Sequence, residues 1–182
     1  MTELICAGFG GQGILMMGRL IAQAGLLEGK YVSWLPSYGA EMRGGTAHCM
    51  VIVSKDPIAS VYIEQPDHCI IMNAPSLTKF LPRIKKGGLV IVNLEAGKDV
   101  KRKDITSFIH FFTEEASQLG TPLVANVVAL AFYTKATNLL KKKSLEEAVE
   151  LMFKDKSKDL IELNKKALER GWKLYQQKDG KG

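Results

Sequence analysis

Apolar residues change their spacing along this chain, and each change marks a predicted element. The run from Leu4 to Ala7 is short and continuous, which predicts a buried strand. From Met17 to Leu27 apolar residues recur every three or four positions, as on one face of a helix. Between the two lies Gly8-Phe9-Gly10-Gly11-Gln12-Gly13, so the chain is predicted to begin with a strand, a glycine turn and a helix.

The same reasoning places the later elements. Apolar runs predict strands over 30–35, 46–53, 59–63, 67–72, 89–94 and 107–112, and helical spacing predicts helices over 75–84, 114–119, 124–140 and 157–177. A turn at Lys55-Asp56-Pro57 predicts that 46–53 and 59–63 form a hairpin, which would make the sheet mixed. Ser144-Leu145-Glu146-Glu147 has the sequence of a capping box that opens another helix.

The alternation of these elements predicts an α/β fold. We expect a single domain over residues 1–182, with helices on both faces of a sheet in three α/β/α layers. The sheet is predicted to be mixed but mostly parallel, and the first βα unit to be Rossmann-like.

Composition and charge narrow the class of protein. Apolar residues make up 46% and charged residues 24%, as in ordinary soluble domains. No apolar run approaches the roughly 20 residues of a membrane helix, and the N-terminus lacks a signal peptide, so no membrane partner and a cytoplasmic location are expected. The net charge of +6 lies largely in Lys141-Lys142-Lys143 and the last helix. We interpret it as a solvated helix surface, because no nucleic-acid-binding motif accompanies it.

Residues that could support catalysis or bind metal stand apart from one another. The cysteines lie in apolar strands without a CxxC pair and are predicted to be buried thiols, and no histidine has a ligand-spaced partner. Adjacent Glu114 and Glu115 would point about 100° apart on a helix, so they are not a predicted acid/base pair. We therefore predict no catalytic residue and no metal site. The isolated residues are Cys6, Cys49, Cys69, His48, His68 and His110.

The glycine turn is the candidate binding site. Gly8 is predicted to take a φ closed to other residues, and Gly13 to let the helix pack closely on the strand, with free N–H groups at the helix start available to an anion. The spacing Gly8-x-Gly10-x-x-Gly13 also satisfies the dinucleotide fingerprint. However, the second strand ends in Trp34-Leu35-Pro36-Ser37 without the carboxylate that would hold a ribose, which disfavours NAD. A purely structural glycine turn remains an alternative.

Two motifs together resemble a known family. Gly8-Phe9-Gly10-Gly11-Gln12-Gly13-Ile14 is followed by Pro36-Ser37-Tyr38-Gly39-Ala40-Glu41-Met42-Arg43-Gly44-Gly45-Thr46-Ala47. Over almost its full length, and at Asn126 within an apolar helix, the chain resembles the gamma subunit of 2-oxoacid:ferredoxin oxidoreductases. The second motif is most similar to the 2-oxoglutarate branch, with branched-chain 2-oxoacids next.

The resemblance implies a role in a larger enzyme. Such a complex oxidatively decarboxylates a 2-oxoacid, transfers the acyl group to coenzyme A and reduces ferredoxin. Thiamine diphosphate with magnesium and the iron–sulfur clusters are implied to belong to alpha and beta subunits, with a delta subunit as a further candidate partner. The isolated chain is then expected to be inactive and to bind no cofactor alone. A stand-alone nucleotide-binding oxidoreductase and a purely structural interaction module are the alternatives.

The residues implied to contact a cofactor come from the two glycine motifs. Gln12 is predicted to point its amide toward a ligand or partner subunit. Arg43 is predicted to share one anion site with the N–H groups of Gly11–Gly13, for a coenzyme A phosphate or a partner's carboxylate. The alternative for Arg43 is a surface arginine bonded to Glu41. The predicted contact residues are Gly8, Gly10, Gly11, Gln12, Gly13, Arg43, Gly44 and Gly45.

Overall fold

The computed structural model describes residues 1–38, 46–97 and 99–179, without the side chains of 38 and 176–179. The strands lie in the first two-thirds of the described chain and four helices follow the last strand, with short 3-10 turns beside several of these elements. The strands are β1 Thr2–Phe9, β2 Tyr31–Tyr38, β3 Thr46–Ser54, β4 His68–Ile71, β5 Leu89–Asn93 and β6 Thr106–His110. The helices are α1 Ile14–Leu27, α2 Ala74–Phe80, α3 Phe112–Ser117, α4 Ala125–Thr137, α5 Lys142–Met152 and α6 Lys158–Asp179.

The strands within this part of the chain form one sheet in the order β2-β3-β1-β4-β5-β6. β1, β4, β5 and β6 pair in parallel, whereas β3 runs antiparallel to both of its neighbours, β1 and β2. β4 and β5 are buried along nearly their whole length, as their continuous apolar sequences predict. The mixed, mostly parallel sheet is therefore confirmed.

The predicted hairpin between 46–53 and 59–63 is wrong. β3 lies between β1 and β2, with Cys49 opposite Cys6 on one side and opposite Pro36 on the other. Residues 59–63 form no strand; buried Ile63 packs beneath the sheet, where its N–H contacts the Met50 sulfur at 3.3 Å. The short apolar run covers the sheet rather than extending it.

Helices cover both faces of the sheet and give the three predicted layers. One core lies between the sheet and the layer of α1, α3, α4, α5 and α6. The other lies between the sheet and the layer of α2 with residues 58–63. α4 is buried along residues 125–134, because the sheet lies on one side and α6 crosses it closely on the other. At the crossing, a side chain at Gly171 would overlap the backbone carbonyl of Val128.

Close packing of α1 on the sheet depends on two glycines inside the helix. A Cβ at Gly18 would overlap the Cys49 sulfur and lie 2.8 Å from Trp34 Nε1, and a Cβ at Gly25 would lie 2.8 Å from Val32. The prediction that Gly13 allows this packing is wrong, because a Cβ on Gly13 would meet Asn126 of α4 rather than the sheet. None of the described helices is both long and apolar enough to cross a membrane.

The predicted capping box is also wrong. α5 begins at Lys142, so Ser144 lies inside its first turn rather than at its N-cap. The side chain of Glu28, at the C-terminus of α1, caps α5 instead, because its Oε1 accepts from the backbone N–H of Lys141 at 2.6 Å. A distant carboxylate thereby satisfies a free N–H group at this helix start, where Ser144 was expected to act.

Candidate functional site

The glycine turn joins the end of β1 to the start of α1. Its left-handed backbone lies at Gly11, with φ 98°, and at Gly13, with φ 70° and ψ 24°. Gly8 instead remains in β1, paired with Ala47 of β3. The prediction that Gly8 reverses the chain through an unusual φ is therefore wrong, and the reversal occurs three to five residues later.

Gly8 has a different reason to lack a side chain. A Cβ there would lie 2.6 Å from Gln12 Oε1 and 2.6 Å from the terminal carbon of Ile14. The bare backbone at Gly8 therefore provides the space into which Gln12 folds back. Gly8 is therefore constrained by contact with the side chains of Gln12 and Ile14 rather than by its own backbone angles.

The Gln12 side chain fastens the turn to the neighbouring strand. Its Oε1 accepts from Phe9 N at 2.7 Å, and its Nε2 donates to the carbonyl of Met72, just after β4, at 3.3 Å. Met72 N in turn donates to Ala7 O at 2.8 Å. Both ends of the amide therefore bond within the chain, while Gln12 also lines the cavity beside the turn, so its contact with a ligand or partner subunit stays a prediction.

Gly13 is the N-cap of α1 and packs against α4. Its carbonyl accepts from Asn126 Nδ2 at 3.0 Å, and a Cβ on Gly13 would overlap the Asn126 amide. Asn126 is buried, and its Oδ1 accepts no hydrogen bond from the described residues. No described side chain caps α1, so its first N–H groups are free of side-chain partners.

The remaining predicted contact residues divide into two groups. Gly10 lies in the turn between β1 and α1, as predicted. Arg43, Gly44 and Gly45 lie outside the described residues, so a shared anion site between Arg43 and the glycine turn stays a prediction.

A cleft opens beside the glycine turn at the carboxyl edge of the parallel strands. Since β1 leads to α1 on one face and β4 leads to α2 on the other, the chain diverges between β1 and β4, which is the usual ligand position in open α/β sheets. A cavity of about 210 Å³ lies here. Its lining includes Gly11, Gln12, Met72, Glu95, Thr113 and Leu123.

A second cavity of about 300 Å³ adjoins the first, because Glu95 and Thr113 line both. Buried Asn93, at the end of β5, fixes their shared wall: its Nδ2 donates to Thr113 Oγ1 at 2.9 Å, and its Oδ1 accepts from Thr113 N at 3.4 Å. Asn93 therefore holds the start of α3 against β5. The sequence analysis missed this residue; an asparagine at the end of an apolar strand was the available signal.

The described lining of these two cavities is electronegative. Glu95 and Glu114 contribute carboxylates, whereas no lysine or arginine of residues 1–38, 46–97 or 99–179 lines either cavity. Free N–H groups at the start of α1 favour an anion, but a carboxylate in the same cleft opposes one. The described wall alone is therefore not a phosphate site.

Burial shifts the pKa of three titratable side chains in the core away from the charged form. Cys6, Cys49 and Cys69 are buried and free, as predicted, and burial raises the pKa of Cys6 and Cys69 above their ordinary range. His48, partly buried on β3 against Phe80, has its pKa lowered to about 4 by burial and then by the charges of Lys79 and Arg83. Its imidazole is thus neutral at pH 7.

Comparison with known proteins identifies the family. Residues 3–174 match the family model described as pyruvate ferredoxin/flavodoxin oxidoreductase. The chain belongs to this family. The resemblance inferred from the two glycine motifs is thereby confirmed.

Members of the oxidoreductase family that resemble this chain differ in length. Ketoisovalerate oxidoreductase subunit VorA of Methanothermobacter marburgensis is 36% identical over 91% of this chain, which spans only 34% of VorA. The 2-oxoglutarate synthase subunit KorC of Methanocaldococcus jannaschii is 34% identical, with 81% of each chain matched. The crystal structure of a keto/oxoacid ferredoxin oxidoreductase gamma subunit from Geobacter sulfurreducens superposes with a TM-score of 0.83, at 26% identity, over 97% of this chain and 99% of that one.

Proposed function

We propose that this chain is the gamma-type subunit of a 2-oxoacid:ferredoxin oxidoreductase complex and meets its partner subunits at the carboxyl edge of the sheet. The family match over residues 3–174 is the observation that carries this proposal. The length of VorA supports it: the part similar to this chain is about a third of that polypeptide. A separate partner would then supply what the rest of the longer polypeptide supplies.

The proposed complex divides its chemistry between subunits. Its reaction is the oxidative decarboxylation of a 2-oxoacid to acyl-coenzyme A with reduction of ferredoxin. Thiamine diphosphate, magnesium and the iron–sulfur clusters would bind to the alpha, beta and, where present, delta partners. Among the described residues of this chain, no three histidine, cysteine or acidic side chains are grouped to hold a metal. Its proposed contribution is to bind and position rather than to transfer electrons.

We propose 2-oxoglutarate as the substrate, with ketoisovalerate as the alternative. The similarity to KorC along four-fifths of both chains supports the former. The similarity to VorA supports the latter. Turnover of the purified complex on pyruvate, 2-oxoglutarate and ketoisovalerate, compared as kcat/KM, decides between them.

A stand-alone NAD enzyme is the less favoured function. β2, the strand expected to carry a ribose-binding acid in such an enzyme, is separated from β1 by β3. The parallel neighbour of β1 is β4, which leads into Met72-Asn73 rather than a carboxylate. The fingerprint glycines therefore lack the ribose-binding acid on that parallel neighbour.

Co-expression tests the proposed function. We expect the isolated chain to be folded, colourless and inactive, and to gain activity only in a complex with alpha and beta subunits. Visible absorption from an iron–sulfur cluster in the reconstituted isolated chain would contradict the proposal. Failure of the chain to co-purify with those subunits would contradict it as well.

We also propose that this chain contacts coenzyme A. The start of α1 offers free N–H groups, but the described wall supplies no cation, so a phosphate contact would depend on Arg43. A guanidinium matches a phosphate in two-point contact. Within the assembled complex, Arg43→Ala should raise the KM for coenzyme A tenfold or more, because a lost charged contact costs about 1.5–3 kcal/mol.

Two variants make the Arg43 test specific. Arg43→Lys keeps the charge without the planar fork and should raise the KM less than alanine does. Lys143→Ala, which removes an exposed cation on α5, is the control and should leave the KM unchanged. Unchanged coenzyme A kinetics in an intact Arg43→Ala complex would remove the cofactor role, whereas loss of assembly would assign Arg43 to a subunit contact.

A further inference from the structure

Exposed apolar side chains border the cleft at the carboxyl edge. Leu123, which precedes α4, is 74% exposed, and Phe111, which follows β6, is 50% exposed. Leu123 lines the 210 Å³ cavity and also a third cavity of about 260 Å³, whose walls include Met16, Phe153 and Asn126. We call these three adjoining cavities, with Glu95, Phe111, Leu123 and Asn126 on their walls, the Leu123 surface.

The carboxylates of the Leu123 surface differ from most others in the chain. Glutamates elsewhere in the described residues are mostly held in ion pairs, whereas Glu95 and Glu114 form none there. Glu95 has only a long contact, 3.5 Å, with Asn93 Nδ2. The ion-paired glutamates are Glu3, Glu28, Glu115, Glu146, Glu147, Glu150, Glu162 and Glu169.

A buried acceptor adds an independent observation. Asn126 is only 4% exposed and lines the third cavity. Its Nδ2 is committed to Gly13 O, which fixes the orientation of the amide, and its Oδ1 accepts no bond from the described residues. A buried acceptor without a donor is unfavourable by itself.

We propose that the Leu123 surface receives a basic segment of a partner subunit, with an arginine side chain against Glu95 and apolar residues around Leu123. This inference rests on the proposed function, because the partner is a subunit of the same complex.

Charge and shape favour arginine as the docking group. The chain has a net charge of +6, yet the described lining of the cleft is acidic, so the cleft attracts a group that most of this protein's surface repels. A guanidinium carries several donors in one plane and also stacks on aromatic rings. Glu95 and Phe111, on the wall of the same 300 Å³ cavity, offer both contacts.

A polypeptide is a better occupant than a small cation because apolar contacts accompany the charge. Leu123 and Phe111 together expose a hydrophobic border that a small polyamine would leave in water. The VorA relative also carries about twice as much additional chain as the part matched here, which is enough polypeptide to cover a surface of this kind. Covering the Leu123 surface would bury these side chains and also pair the carboxylate of Glu95.

Charge reversal in the co-expressed complex tests the inference. We expect Glu95→Arg to lower the fraction of chain retained by a tagged partner at about 100 nM by at least fivefold, and Glu95→Gln to lower it less and to weaken its dependence on NaCl. Glu64→Arg is the matched control, since Glu64 is also exposed and its carboxylate is unpaired among the described residues, but it precedes β4 at the opposite edge. It should change retention by less than twofold.

A photo-cross-linker at position 123 identifies the occupant. We expect it to capture a partner peptide that contains arginine or lysine, and Leu123→Ser to weaken retention while the melting temperature of the free chain stays unchanged. Retention of Glu95→Arg equal to wild type, or capture of an acidic peptide, would overturn the inference while leaving the proposed function intact. A wild-type chain that does not co-purify at all would remove both.

Discussion

The two edges of the sheet carry opposite kinds of surface. At the amino edge one cluster of charged groups pairs within itself: Lys85 bonds to Glu3 at 2.5 Å and to Asp67 at 2.7 Å. Asp67 also accepts from Glu3 N at 2.8 Å. Nearby Arg102 donates to two backbone carbonyls and pairs with Asp104. These positive and negative groups have partners within the chain.

The carboxyl edge leaves comparable groups without partners among the described residues. Glu95 and Glu114 make no ion pair there, Asn126 Oδ1 accepts no bond, and Leu123 is largely exposed. The glycine turn, with its left-handed residues, lies at the same edge. Unsatisfied groups and exposed apolar side chains on a rigid framework are what a binding surface requires, whereas a satisfied edge needs only to stay folded. The comparison supports the proposed binding role of the carboxyl edge.

The largest effect on stability is expected at Gly13 of the carboxyl edge. Gly13→Val should lower the free energy of unfolding by about 2–4 kcal/mol, because a β-branched residue is strained at φ 70° and its side chain displaces Asn126. Gln12→Ala should cost about 1 kcal/mol through its two lost hydrogen bonds. Urea denaturation of both variants provides the measurement.

A neighbouring glycine separates backbone strain from overlap. Gly11 has φ 98°, but nothing lies within 4 Å of a Cβ built there, so Gly11→Ala should cost only about 1 kcal/mol of backbone strain. Equal free energies of unfolding for Gly13→Val and Gly11→Ala would show that contact with Asn126 contributes little.

A smaller effect is expected from pH through His48. Its folded pKa, about 4, lies below the ordinary value of 6.5, so the unfolded chain binds the proton first as the pH falls. The free energy of unfolding should therefore decrease between about pH 6.5 and pH 4, by about 1 kcal/mol for this partly exposed ring after allowance for solvent screening. His48→Gln should flatten this part of the profile.

His68 is the internal control for that measurement. Burial lowers its pKa as well, although Asp67 opposes the shift, so it contributes a dependence of the same sign that remains in the His48 variant. A pH profile identical in wild type and His48→Gln would mean that the His48 ring protonates equally in the folded and unfolded chain.

The smallest effect is expected at the amino edge. Lys85→Met should change the free energy of unfolding by less than about 1 kcal/mol, since Lys85 is 43% exposed and exposed ion pairs contribute little. It should leave assembly with partner subunits unchanged, in contrast to Glu95→Arg. Weaker assembly of the Lys85 variant would remove the proposed division between the two edges.

The sequence determined the elements whose evidence is local. The βα unit around the glycine turn, the buried strands β4 and β5, the buried thiols and the apolar helix α4 all follow from spacing and composition along the chain. The two glycine motifs also identified the family correctly. These features depend on near neighbours in sequence, which a pattern of side chains reports directly.

Tertiary structure decided which segments and side chains meet. The pattern of 46–53 predicts a strand but does not specify its partners, and in the fold β3 pairs with β1 and β2 rather than with 59–63. In the same way, Gly13 meets Asn126 of α4, while Gln12 bonds to Met72 and Glu28 caps α5. Pairing of this kind depends on the free energy of contacts between segments far apart in sequence. Periodicity carries no record of those contacts, so the glycine turn was found from the sequence and the packing contacts of its residues only from the fold.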